Sequence, residues 1–190
     1  MTYGIDVSKH QGVIDWSKVK TDFAILRAGF GRYTSQKDPQ FERNYAGAKA
    51  VGIPVGVYWY SYAKSAEEAR EEAKACLQVL KGKQFEFPVY FDIEDSTQGN
   101  LSKAVLTAMC EAFCDTLEKA GYFAGVYAST YWFTSKLDHA RLAGKYTIWL
   151  ADYRAGYNKT LKRDMHQFTS NGHLDGISGR VDRNTCTRDF

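Results

Sequence analysis

The chain has 190 residues, 44% of them hydrophobic and 15% aromatic, and its 25 Lys and Arg against 22 Asp and Glu leave a formal net charge of +3. A domain of ~150 residues already buries about 68–70% of its unfolded surface, so this length supports one substantial core, and residues 1–190 are read as a single domain. The aromatic content excludes a disordered chain, the scattered charge lacks the basic cluster that nucleic acid requires, and no apolar run approaches the ~18 residues of a membrane span.

The opening residues carry neither a basic nor an apolar leader region, so synthesis in the cytoplasm without a signal peptide is expected. Of the cysteines Cys76, Cys110, Cys114 and Cys186, the middle two stand four apart in a helical pattern. That spacing holds Cβ atoms ~5–6 Å apart, beyond the about 3.5–4.5 Å of an unstrained disulfide. Free, mostly buried thiols are the expectation.

Strand and helix signals alternate, the pattern of an α/β protein with a largely parallel sheet. Strands are predicted at residues 3–7, 23–30, 53–62, 88–94, 122–129, 146–153, 164–169 and 178–182. Between them, Asp38 as N-cap and Pro39 at the first position open a helix that Gly52 closes. Ser65 and Glu68 form a capping box for a second helix, ended by Gly82. Leu106, Met109, Cys110, Phe113 and Leu117 recur at helical spacing in a third, ended by Gly121. The form G-x-x-x-G-V-Y appears at 52–58 and again at 121–127, as repeated strand–helix units would give.

Eight strands in 190 residues allow about 24 residues per unit, short for a barrel of ~250 residues. The shortfall lies in the last third, because residues 146–190 hold three strands and no room for crossover helices. The expected fold is therefore an irregular TIM-like (β/α) barrel of about eight strands. Its helices are full length through residue 129, and its last three strands are joined by loops and hairpins, with at least one antiparallel pair.

Side chains alternate across a strand. In 89–94 the odd positions Val89, Phe91 and Ile93 are apolar and suit the surrounding helices, so Tyr90, Asp92 and Glu94 face the barrel interior. Asp92 and Glu94 are then about 6.6 Å apart along the strand. The same parity turns Asp6 inward on the first strand and Asp182 inward on the last, which is read as ending at Asp182. Four acids thus collect at three strand ends, on the face where barrel enzymes hold their active sites. Tyr60, Tyr62, Tyr127, Trp149 and Gln167 fall on the inward parity of their strands and are candidates for the walls of a cleft. Aromatic rings pack on sugar C–H faces, amides bond hydroxyls, and paired carboxyls serve glycosidic cleavage. Plainer roles stand beside these: Asp6 as a turn cap, Asp182 as a partner of Arg180 or Arg27, Tyr58 as barrel filling, and Arg27 as the structural partner of an interior acid. His10, His139, His166 and His173 lack metal-ligand spacing, so neither metal nor cofactor is expected.

With these residues in place, a resemblance is visible. Gly4-Ile-Asp-Val-Ser-Lys-His-Gln-Gly12 with Ile14-Asp-Trp16 is similar to the opening of glycoside hydrolase family 25. Tyr90-Phe-Asp-Ile-Glu94 resembles that family's central D-x-E strand, and Gln167 to Gly172 followed by Gly176 to Asn184 its C-terminal signature. Phe168 and Cys186 depart from it, standing where an aromatic or Tyr is frequent. The resemblance implies a lysozyme (N-acetylmuramidase) of the endolysin or autolysin kind. It would cut the β-1,4 bond between N-acetylmuramic acid and N-acetylglucosamine in peptidoglycan glycan strands. By motif position Glu94 is the general acid. Asp92 orients or stabilises the substrate N-acetyl group, or acts on water or the sugar directly, while Asp6 and Asp182 complete the acidic cluster. A monomer acting at the cell wall, released as phage enzymes are at lysis and without membrane insertion, fits this reading. A chitinase-like barrel glycosidase and a non-catalytic cell-wall lectin are the alternatives.

Overall fold

The computed structural model describes residues 1–156 and 159–190. The strands are β1 (Thr2–Val7), β2 (Phe23–Phe30), β3 (Val55–Tyr60), β4 (Val89–Asp92), β5 (Ala124–Ser129), β6 (Thr147–Ala151), β7 (Met165–Gly172) and β8 (Val181–Cys186). They close into one barrel in sequence order. β1 to β7 run parallel, and β8 is antiparallel to both β7 and β1. The helices are α1 (Phe41–Ala50), α2 (Ala66–Leu80), α3 (Lys103–Lys119) and the short α4 (His139–Ala143). No helix among the described residues is long and apolar enough to cross a membrane.

Alternation along the strands produces two apolar cores. Outward residues such as Ile5, Val57, Val89, Phe91, Val126 and Ile148 pack beneath α1, α2 and α3. Inward residues Phe23, Ile25, Tyr90, Tyr127, Trp149, Met165 and Cys186 fill the barrel. Gly125, in the second G-x-x-x-G-V-Y, makes room for this filling: a Cβ there would lie 2.6 Å from the Tyr90 ring. Gly121 ends the preceding helix with φ +90°, a conformation costly to any residue with a Cβ. All four cysteines are free and buried, three of them in α2 and α3.

The sequence reading needs correction in several elements. α1 begins at Phe41 rather than at the Asp38-Pro39 step, because Asp38 is engaged elsewhere: its carboxylate takes Arg27 Nε at 2.6 Å and the backbone N–H groups of Lys9 and Gln40. Ser65 caps α2 through Glu68 N at 3.2 Å, but the Glu68 carboxylate reaches back to Lys64 N instead of the cap residue itself. The β1–β2 connection, where no helix was predicted, contains a single turn at Lys9–Gln11. Most consequential is β8, predicted at 178–182 and found at Val181–Cys186. Asp182 therefore stands near the start of its strand. Because β8 runs antiparallel, that start lies at the same barrel end as the C-termini of the other seven strands, and the acid reaches the expected place by the opposite route.

Candidate active site

Asp6 on β1 and Asp182 on β8 are direct cross-strand partners, so their side chains share the inner face. Asp92, the last residue of β4, is flanked in register by Tyr60 of β3 and Tyr127 of β5. Glu94 lies two residues beyond the end of β4 and is solvent-exposed at the barrel mouth, whereas Asp6 and Asp92 are each only 4% exposed. Asp182 is half-buried between these levels. The chain thus brings all four predicted acids to one end of the barrel, two deep, one intermediate and one at the rim.

A relay of hydrogen bonds fixes one of the two deep acids, Asp6. Gln167 Nε2 and Asn184 Nδ2 both donate to Asp6 Oδ2, each at 2.8 Å. Gln167 is oriented in turn by Tyr127 and Tyr153, whose hydroxyls donate to its Oε1 at 2.8 and 2.7 Å. Asn184 is oriented by Trp149 Nε1, which donates to its Oδ1 at 2.8 Å. With both carbonyl oxygens so occupied, the amide nitrogens of Gln167 and Asn184 have one orientation, pointing at Asp6. Gln167, Trp149 and Tyr127 are buried, at 2%, 1% and 8% exposure; Gln167 bonds Asp6 directly, and the other two act on it through Asn184 and Gln167. Asn184, Tyr153 and Asp38 were not among the predicted site residues; Asp38 was read only as a helix cap and Asn184 only as the end of a motif. Tyr153 continues the inward parity of Trp149 and Ala151, so a signal for it existed; Asn184 was hidden by the misplaced end of β8.

Crowding sets the electrostatics. Burial, then the facing charge of Asp182, push the Asp6 carboxyl well above the ordinary carboxylate range, against the two amide donors; hydrogen bonding with Asp182 adds to the rise. Asp182 is raised by burial, opposed by that hydrogen bond and by Arg180. Burial, Glu94 and Asp6 push Asp92 well up, with the Arg27 guanidinium pulling the other way. Loss of solvation, then the charges of Asp182 and Asp95, raise Glu94. Four carboxyls this close cannot all ionise together, and their protons come off as a coupled set. One atom stands apart: Asp92 Oδ1 is buried and has no hydrogen-bond partner among the described residues.

The rim is aromatic on one side and polar on the other. Tyr60 and Tyr62 pack at 5.1 Å between centroids, and Phe30 meets Tyr62 edge-on at 6.0 Å. Tyr62, predicted inside β3, lies past its end at Tyr60 and is 47% exposed. Tyr60 donates to Asp95 Oδ2 at 3.1 Å. Behind this wall the fully buried Glu72 of α2 accepts the Tyr62 N–H at 2.8 Å, and the equally buried Gln98 donates to Ser61 Oγ and Ala63 O. On the opposite side, a cleft of about 550 Å³ runs from Glu94 and Tyr127 past Thr130 and Tyr131 to Tyr153 and Arg154. No group of three or more His, Cys, Asp or Glu among the described residues has the arrangement to hold a metal ion.

Comparison with known proteins identifies the family. Residues 5–177 match glycosyl hydrolases family 25. The chain is 31% identical over 196 residues to the uncharacterized protein YegX of Escherichia coli O157:H7, covering 96% of this chain and 68% of that one. It is 28% identical to Lysozyme M1 of Streptomyces globisporus, covering 95% and 66%. Among solved structures, the CTP1L endolysin superposes with a TM-score of 0.86 at 27% identity, covering all of this chain and 68% of that one. The modular autolysin LytC of Streptococcus pneumoniae superposes at 0.84 with 27% identity, and there the chain spans 46% of the relative's length.

Proposed function

The chain belongs to glycosyl hydrolases family 25, and on that premise we propose that it is a lysozyme, an N-acetylmuramidase that hydrolyses the β-1,4 bond between N-acetylmuramic acid and N-acetylglucosamine in bacterial peptidoglycan. We read residues 1–190 as one catalytic domain acting on glycan strands at the cell wall, as a monomer and without membrane insertion. The observation that carries the reading is the graded set of carboxyls, Asp6 and Asp92 deep, Asp182 between, and Glu94 at the rim with its proton held more tightly than an ordinary carboxyl holds it.

Glu94 is the general acid. Reachable from the cleft and raised by loss of solvation and then by its acidic neighbours, it protonates the glycosidic oxygen as the C1–O bond breaks. Asp92 offers its unpartnered Oδ1 to the N–H of the substrate's N-acetyl group. That contact turns the acetamido carbonyl oxygen toward C1, where it forms the new bond from the opposite face, and Asp92 balances the positive charge that spreads over the amide. Water then opens this ring, giving its proton back to Glu94. Asp6 and Asp182 set the charge beneath the pair. Tyr127, Trp149 and Gln167 act as positioning residues through Asp6, while Tyr60 and Tyr62 offer ring faces to the sugars. The similarity to LytC, a relative solved in complex with a synthetic peptidoglycan ligand, supports the substrate class.

The test is product analysis on purified peptidoglycan with wild type and Glu94→Gln side by side. Wild type is expected to release glycan ends terminating in N-acetylmuramic acid, and the variant to remain folded and release them about 10²–10⁴-fold more slowly. Ends terminating in N-acetylglucosamine would instead mark a chitinase-like specificity, and wall binding with no product at any pH a lectin.

A further inference from the structure

The acids that give this cleft its chemistry also give it a problem, because a peptidoglycan strand is itself an anion. Asp95 and, below it, Asp182 set negative charge around Glu94, and a substrate carboxylate approaching them is repelled. Among the described residues lining the cleft beside Glu94, Arg154 alone carries positive charge. Its guanidinium is not loose. Nε donates to Asp152 Oδ1 at 2.8 Å and Nη2 donates to Asp152 Oδ2, a two-point clamp. Asp152 is itself anchored, with its side chain 3% exposed and Thr130 Oγ1 donating to it at 2.7 Å. Arg154 Nη1 makes no hydrogen bond with the described residues, and the side chain is 69% exposed on the cleft wall. Two donors fix the fork and the remaining three N–H groups face outward in a set orientation, the geometry in which arginine receives a second carboxylate.

We propose that Arg154 is a substrate-binding residue that receives a carboxylate of the glycan strand, either the lactyl carboxylate of a muramic acid or one borne by its peptide. The proposal rests on the muramidase reading above and adds what holds an anionic strand in an acidic cleft. Asp152 and Thr130 are positioning residues for it, holding the fork against the wall.

The experiment compares three substrates: peptide-bearing strands, strands stripped of peptide so that each muramic acid carries a free lactyl carboxylate, and the stripped strands with those carboxylates converted to neutral amides. Wild type is expected to show a KM about three- to tenfold lower for carboxylate strands than for neutralised ones, with kcat little changed. Arg154→Gln is expected to erase that ratio by raising KM for the charged strands alone, and Arg154→Lys to restore part of it. A purely structural role for Arg154 would move both substrates together. A ratio recovered only with stripped strands identifies the lactyl group, and one recovered only with peptide-bearing strands identifies the peptide. Arg154→Gln retaining the wild-type ratio, or wild type cutting charged and neutralised strands with equal KM, overturns the proposal. Wild type cutting none of the three overturns the muramidase reading instead, so the two failures are distinct.

Discussion

At the end of the barrel where the parallel strands begin, the interior is packed shut. Phe23 stacks on Phe87 at 4.5 Å, Phe190 closes on Phe87 at 5.3 Å, and Met165 and Cys186 fill the remaining space. Further along the barrel axis the interior turns acidic. On β4 the step is visible within a single strand, from Tyr90 buried among aromatic rings to Asp92 and then, past its end, Glu94. The two ends obey opposite rules: one removes apolar surface from water, and the other holds carboxyls in places that disfavour their charge. Stability and chemistry are therefore separable along the barrel axis, and substitutions at the two ends ought to affect different measurements.

The largest contrast comes from Glu94→Gln against Phe23→Ala. At the rim, Glu94→Gln removes a proton donor and relieves crowding, so turnover falls about 10²–10⁴-fold while the urea midpoint stays level or rises. At the packed end, Phe23→Ala vacates a fully buried aromatic site and lowers unfolding free energy by about 3–5 kcal/mol, with kcat of the folded fraction unchanged. A Phe23→Ala enzyme that stays stable but turns over slowly would break the division.

Much of this arrangement was legible in the chain, and the reason is periodicity. Val89, Phe91 and Ile93 had to pack under helices, so Tyr90, Asp92 and Glu94 had to point the other way, and the structure agrees. Too few residues after position 146 for crossover helices implied an antiparallel strand, which is β8. What was illegible depended on contacts distant in sequence. Asp38 next to Pro39 reads as a helix cap until Arg27 is known to lie against it. Asn184 reads as a loop residue until β8 is placed beside β1 and Trp149 is found within reach. Glu72, in a run of charged helix residues, reads as solvated, and only the packing of α2 against the loop after Tyr60 buries it.

Glu72 carries the next largest effect and extends the comparison beyond the cleft itself. Burial pushes its carboxyl up to about 7, with the Ser61 hydroxyl and the Tyr62 and Ala63 backbone N–H groups only partly offsetting it and Glu68 adding to it. A carboxyl raised in the folded state stabilises the fold at pH below its ordinary value, and that contribution is lost as pH rises through the folded value. The shift from 4.5 to about 7 corresponds to about 3 kcal/mol. Glu72→Gln should therefore flatten the fall in stability between pH ~4.5 and ~7 by this amount, as read from urea unfolding across that range. A pH slope identical to wild type would show that Glu72 keeps its ordinary titration.

A smaller shift tests the acids against one another. Asp182 is the foremost charge raising Glu94 after burial, so Asp182→Asn lowers the pH at which Glu94 gives up its proton. The alkaline limb of the pH–rate profile is expected to move to lower pH, with activity at acidic pH largely retained. An unmoved limb would assign it to a group other than Glu94.

The smallest single effects lie in the relay beneath Asp6, and there the informative quantity is coupling. Gln167 Oε1 accepts from both Tyr127 and Tyr153. Removing either hydroxyl leaves the carbonyl satisfied by the other, so Tyr127→Phe or Tyr153→Phe alone should cost about 0.5–1.5 kcal/mol of stability and little activity. Removing both leaves a buried carbonyl with no donor, and only the Nε2 bond to Asp6 still holds the amide in its present orientation. Turning it over would point the carbonyl oxygen at Asp6 Oδ2 in place of Nε2, withdrawing one of the two donors that oppose the rise of Asp6. The double variant should therefore lose more than the two singles together, with a coupling of about 1 kcal/mol and an acidic limb of the rate profile shifted upward. Strict additivity would mean that the tyrosines merely fill space, as the aromatic rings at the packed end do.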